Sequence, residues 1–115
     1  MDDLISKEDN YYISKRQDML KFIDIKVSRI LEIGCGEGNF ATNFTDVEYW
    51  GVEPVTQHAK AAEQKGFKIL NGLYEDVEDK IPNAYFDLIV CNDVIEHMLE
   101  PIGFLKNVKK KLNNY

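Results

Sequence analysis

Apolar and polar positions along the chain switch repeatedly between two periods. Four runs rich in β-branched and aromatic residues, Arg29 to Ile33, Glu48 to Val52, Phe67 to Leu70 and Phe86 to Cys91, are bounded by Gly, Asp or Asn and predict buried strands. Between them apolar residues recur three and four apart, the spacing that lines one face of a helix. Tyr12, Ile13, Met19, Leu20 and Ile23 predict a first helix, and Phe40 and Phe44 a second. A third spans about Thr56 to Lys65, with Ala59 and Ala62 inward and Gly66 as its stop. The last opens at Pro101, with Ile102, Leu105, Val108 and Leu112 inward. Strands alternating with helices predict an α/β fold, a parallel sheet covered on both faces. No repeat or Pro/Gly-rich linker interrupts the pattern, so residues 1–115 are expected to form a single domain.

Composition narrows the class. Aromatic residues make up 11% of the chain, enough apolar surface to bury against chain entropy, which excludes a disordered segment. Apolar runs such as Leu88-Ile89-Val90-Cys91 are too short to span a bilayer, and Met1-Asp2-Asp3-Leu4 lacks the basic start of a secretory signal. The expected compartment is therefore the cytoplasm. There Cys35 and Cys91 are reduced thiols, and the Asn43-Phe44-Thr45 triplet carries no glycan. The net charge of −6 is concentrated: residues 75–100 hold eight acids against Lys80 alone. That argues against nucleic acid as a partner, since phosphate backbones need a basic face. Lys106, Lys109, Lys110 and Lys111 complement the dipole of the last helix and read as solvated surface.

The chemistry concentrates in Leu31-Glu32-Ile33-Gly34-Cys35-Gly36-Glu37-Gly38-Asn39-Phe40, where a strand runs into three alternate glycines and a helix is expected to begin. Glycines let a ligand approach the backbone closely, and a helix N-terminus offers unpaired N–H groups. Nineteen residues after Gly34, at the end of the next strand, stands Glu53. An acid at that place can accept both hydroxyls of a ribose. Glycine turn and acid together indicate a nucleoside ligand. A dinucleotide fingerprint would put its third small residue where Asn39 stands; here the third glycine, Gly38, comes one residue earlier.

The string G-x-G-x-G preceded by Glu32 resembles motif I of the class I S-adenosylmethionine-dependent methyltransferases. Tyr49-Trp50-Gly51-Val52-Glu53-Pro54 resembles their second motif. The segment Phe86-Asp87-Leu88-Ile89-Val90-Cys91-Asn92-Asp93-Val94-Ile95-Glu96-His97 resembles the fourth, in the form found in the type 11/12 small-molecule branch. Tyr11-Tyr12 and Arg16 ahead of Met19-Leu20 are similar to bacterial surface-polysaccharide and ubiquinone-type O-methyltransferases.

The resemblance implies a Rossmann-like sheet ordered 3-2-1-4-5-7-6, of which about four strands are present, with the chain ending where a fifth would begin. It implies S-adenosyl-L-methionine as cofactor, held by Glu32, Gly34, Cys35, Gly36, Gly38 and Asn39 of the first motif. Glu53 would take the ribose and Val52 or Pro54 lie near the adenine. Where the family has Gly-Asp after the third strand this chain has Gly72-Leu73, leaving the adenine to Tyr74 by stacking, to a backbone group or to Glu75. Asn92 and Asp93 end the fourth strand, where open α/β sheets bind ligands. His97 is either a general base for a substrate hydroxyl or a loop-fixing residue, and Asp93 is the other catalytic candidate. His58 reads as surface, and no metal-ligand spacing is present. The implied activity is methyl transfer to a small-molecule or saccharide-type acceptor, a hydroxyl. The alternatives are a cofactor-binding module without turnover and a nicotinamide oxidoreductase. With no fifth strand, the edge of the Phe86–Cys91 strand is expected to be exposed and to promote self-association.

Overall fold

In the computed structural model, which describes residues 3–7, 10–14, 27–92 and 100–113, the four apolar runs lie side by side in one sheet. The strands are β1 (Asp3–Lys7), β2 (Asn10–Ser14), β3 (Arg29–Ile33), β4 (Glu48–Glu53), β5 (Lys68–Asn71) and β6 (Leu88–Asn92). Their order is β1-β2-β6-β3-β4-β5. The four expected strands run parallel as β6-β3-β4-β5, the 4-1-2-3 arrangement that the resemblance implies. Helices α1 (Thr56–Gln64), α2 (Tyr74–Val77) and α3 (Pro101–Lys109) connect or follow them.

Alternation along the strands sends side chains into two cores. Leu31, Ile33, Val52, Ile89 and Cys91 face α2 and α3, packed with Tyr74, Phe86 and Val108. Ile30, Tyr49, Leu88 and Val90 face the other way, with Cys35, Ala41 and Phe67. Since β3 and β6 are central and covered on both sides, they read as continuous apolar runs, as parallel strands do.

Five expectations are corrected, the fifth at Lys111. Tyr12 and Ile13 lie in β2, antiparallel to β6 and opposite Val90 and Ile89, instead of in a helix; Met19, Leu20 and Ile23 fall outside the described residues. Tyr11-Tyr12-Ile13 combines aromatic and β-branched types, and the open side of β6 offers their backbone a partner. It follows that the β6 edge is covered by β2, and the exposed edge anticipated there does not exist. After the glycines comes one 3₁₀ turn, Phe40–Asn43, with the Phe40 and Phe44 rings 5.2 Å apart. In α3, Ile102 is 67% exposed while Phe104, Leu105 and Val108 pack inward, because six residues from Val108 is about 120° round the helix.

Lys111, expected on the surface, is buried. Its ammonium donates to the Glu78 and Ile81 carbonyls (3.1 and 2.9 Å), the Glu78 carboxylate (2.6 Å) and Asn83 Oδ1 (2.8 Å). Beside it, Phe86 forms a single parallel bridge with Leu112, so the segment after α3 is fastened to the start of β6. Asp87 fastens β6 to β3 by accepting the Ser28 and Arg29 N–H groups at 3.0 and 3.2 Å.

Candidate functional site

The carboxyl ends of β3 and β4 meet at the glycine turn. The N–H groups of Gly34 and Cys35 both donate to the Val52 carbonyl, at 2.8 and 3.1 Å, which bends the chain sharply off β3. Gly36 has φ +57°, and a Cβ built on it would meet nothing within 4 Å, so its outer side is open space. Gly38 serves packing: at φ +85° its missing side chain leaves room for Phe67, whose ring would stand 3.0 Å from a Cβ. Lys65, at the end of α1, holds the far side of the turn by donating to the Glu37 carbonyl (2.7 Å) and Asn39 Oδ1 (3.1 Å). The side chain of Asn39, expected at the ligand, is thus engaged by α1.

Glu53 joins the two loops. One carboxylate oxygen accepts the Gly36 N–H at 2.8 Å and the other the Val55 N–H at 2.9 Å, the latter at the head of α1. Each oxygen keeps a second acceptor position. Asn71, at the end of β5, donates to the carbonyls of Glu53 (2.9 Å) and Pro54 (3.3 Å), and the Gly72 N–H to that of Glu53 (3.0 Å). Glu53 is buried to 6% exposure in its peptide surroundings, while Pro54 is exposed. His58, read from the sequence as surface, lies one turn into α1 with Nδ1 3.9 Å from the Glu53 carboxylate.

Glu32 lies beneath the turn, 1% exposed, and accepts a hydrogen bond from the Tyr49 hydroxyl. Opposite Glu32 in the register stands Gly51, where a Cβ would fall 2.6 Å from Cys35 Sγ; the absent side chain admits the thiol and lets Tyr49 reach across diagonally. Burial pushes the Glu32 carboxyl up to about 7, against the lowering effect of Tyr49 and with a further raise from Glu53. Burial, with Glu32 nearby, pushes the Cys35 thiol up to about 12. Cys91 is likewise raised to about 12 by burial. Both cysteines are free, and neither is a ready nucleophile. Among the described residues no cluster of His, Cys, Asp and Glu could hold a metal ion.

After β5 the structure corrects one assignment. Tyr74 is buried, its hydroxyl donating to Asn107 Oδ1 at 2.5 Å and its ring standing edge-on to Phe104 in α3, so it is not available to stack on a base. Leu73, 51% exposed, is the apolar side chain that this loop presents. The backbone of Asn92 closes β6 opposite Asn10, while Asp93 and His97 lie outside the described residues. The sequence reading missed Tyr49, Gly51, Lys65 and Asn71. Only Asn71 carried a signal, a polar amide at the strand end beside the glycine.

Residues 4–114 match the methyltransferase-domain family. The chain belongs to this family. Two curated methyltransferases are similar to it, both ubiquinone biosynthesis O-methyltransferases. That of Rickettsia canadensis is 33% identical over 74% of this chain, and that of Rickettsia bellii 31% identical over 90% of it. This chain spans 38% and 44% of their respective lengths. A solved S-adenosylmethionine-dependent methyltransferase of Thermotoga maritima superposes with a TM-score of 0.62 at 25% identity, covering 84% of this chain and 44% of that one. Among the described residues no helix of this methyltransferase domain is long and apolar enough to cross a membrane.

Proposed function

We propose that this domain binds S-adenosylmethionine over the open side of Gly36, against the Glu53 carboxylate, as the cofactor-binding part of a methyltransferase acting on a small-molecule hydroxyl. The observation that carries the reading is the open space over Gly36 directly beside the Glu53 carboxylate. A cofactor with a ribose diol fits there: the second acceptor position on each Glu53 oxygen takes one hydroxyl, and the open side of Gly36 admits the body of the ligand. When bound, the cofactor supplies a methyl group on a sulfonium, already activated towards a nucleophile.

The chain's own residues do the holding. Gly34, Cys35 and Gly36 present backbone, not side chains, to the ligand. Glu32, enclosed with Tyr49, stiffens the turn from below. Pro54 and Leu73, exposed in the loops after β4 and β5, give the adenine two apolar surfaces in place of Tyr74. Asn92 ends β6, and we assign to Asp93 and His97 the removal of the hydroxyl proton, a step that only an oxygen nucleophile requires. Support for a hydroxyl acceptor comes from the names of the Rickettsia relatives, which are O-methyltransferases. A saccharide hydroxyl meets the same chemical requirement. The acidic 75–100 stretch supports a small molecule over nucleic acid.

Binding and transfer are separable, because the residues assigned to the cofactor lie within a chain spanning only 38–44% of the length of these relatives. Titration calorimetry with S-adenosylhomocysteine tests the first, with NADH as the counter-ligand. Binding of the former alone is expected. Binding of NADH instead, or of neither, overturns the proposal.

A further inference from the structure

Glu53 is surrounded unevenly. Among the described residues the ionisable groups around it are Glu32 on β3, Cys35 in the glycine turn and His58 on α1. Of these, His58 is the one that gains a positive charge. Its Nδ1 stands 3.9 Å from the carboxylate oxygen that also holds the Val55 N–H, with the imidazole 49% exposed and the carboxyl 7%. At that distance a neutral imidazole makes no hydrogen bond. A charged one is attracted to the carboxylate, which is itself held in place by the Gly36 and Val55 N–H groups.

We propose that His58 is a positioning residue of the cofactor site: when protonated it pairs with Glu53 and competes with the ribose hydroxyls for that carboxylate, so that cofactor affinity falls as the medium becomes acid. The inference rests on the proposed cofactor site and adds to it a proton dependence carried by one side chain. Its size is bounded by the half-exposed position of the imidazole. Ion pairs of this kind amount to no more than about five-fold in an equilibrium constant.

The test is calorimetric titration with S-adenosylhomocysteine between pH 5.5 and 8.0 on the wild-type chain, His58→Gln, Glu53→Gln and the double variant. The ratio of wild-type to His58→Gln dissociation constants is expected to rise up to about five-fold as pH falls, since Gln cannot take the charge. Taking the ratio at each pH cancels the titration of Glu32 and of the ligand, which both chains share. On a Glu53→Gln background the ratio is expected to be constant. By reciprocity, saturation with S-adenosylhomocysteine moves the His58 titration followed by NMR to lower pH. A constant ratio in the wild-type pair, or a His58 titration indifferent to ligand, overturns this inference and leaves the cofactor site standing. Absence of binding by the wild-type chain at every pH overturns both.

Discussion

At the scale of single residues the site depends on two carboxylates with opposite environments. Glu53 is satisfied by peptide N–H groups and keeps acceptor capacity for a ligand. Replacing it with Ala removes the acceptor for the ribose diol, and the affinity for S-adenosylhomocysteine is expected to fall by roughly 1.5–3 kcal/mol, measured by calorimetry. Unchanged affinity would place the ribose elsewhere. Gly36→Val combines a backbone at φ +57° with a side chain entering the open space, so binding is expected to vanish in a chain that still unfolds cooperatively. Glu32 is the opposite case, a carboxyl with a folded-state value raised from 4.5 to about 7 by burial. Between those values the folded chain holds a proton that the unfolded chain has released, so this group's contribution to stability declines as pH rises from about 4.5 to 7. Relative to Glu32→Gln, the wild-type chain is expected to lose up to about 3 kcal/mol between pH 5 and 8 in urea unfolding. Parallel pH profiles would show that Glu32 does not titrate there. The glycines and both acids were legible in the sequence because their spacing along the chain is itself the signal. Tyr49 was not, since its contact with Glu32 exists only once β3 and β4 are paired with Ile30 opposite Tyr49 and Glu32 opposite Gly51.

Elements were legible where one period prevailed and misread where a partner decided. The β3 bounds and the start of α1 follow from the sequence pattern alone, because apolar runs and the Gly66 stop are local properties. Residues 10–14 were misread because Tyr-Tyr-Ile fits both periods over so short a stretch, and pairing with β6, far along the chain, settles the matter. Lys111 was misread for a similar reason. Four lysines in six positions suggest a solvated end, yet this one is enclosed by carbonyls from the turn around Glu78 to Asn83. A side chain of that length is buried only where acceptors are arranged to meet its ammonium. The pair also holds the Glu78 carboxyl below its usual range. Lys111→Met keeps the stem and deletes the ammonium, taking this donor from the buried Ile81 carbonyl, while the exposed Asn83 amide and the half-buried Glu78 carboxylate turn to water. A loss of about 2–3 kcal/mol is expected in denaturant unfolding. Its exposed neighbour provides the comparison: Lys110→Met is expected to stay within about 0.5 kcal/mol of wild type. Equal effects from the two would mean that the enclosure is not what stabilises the chain end.

The sheet as a whole explains how the four parallel strands among the described residues avoid presenting their most apolar member to other molecules. β6 is buried on both faces, with Leu88, Ile89, Val90 and Cys91 each at 2% exposure or less. Its hydrogen-bonding edge would be a template for a second chain if it were open. The β1–β2 hairpin closes it instead, pairing Asn10 to Ser14 with Asn92 to Leu88 in reverse. The outer strand of the hairpin, β1, begins at Asp3 and ends at Lys7, and charges on an outer strand oppose edge-to-edge pairing. The edge thus moves from an apolar strand to one with charged ends. Deleting residues 1–14 should reverse this. The shortened chain keeps the glycine turn, Glu53 and His58, so it is expected to retain S-adenosylhomocysteine binding wherever it remains folded. Its uncovered β6 should then seek a partner strand. Light scattering across a concentration series is expected to show the shortened chain associating at concentrations where the full chain does not. If both chains scatter alike, the hairpin is not what guards β6.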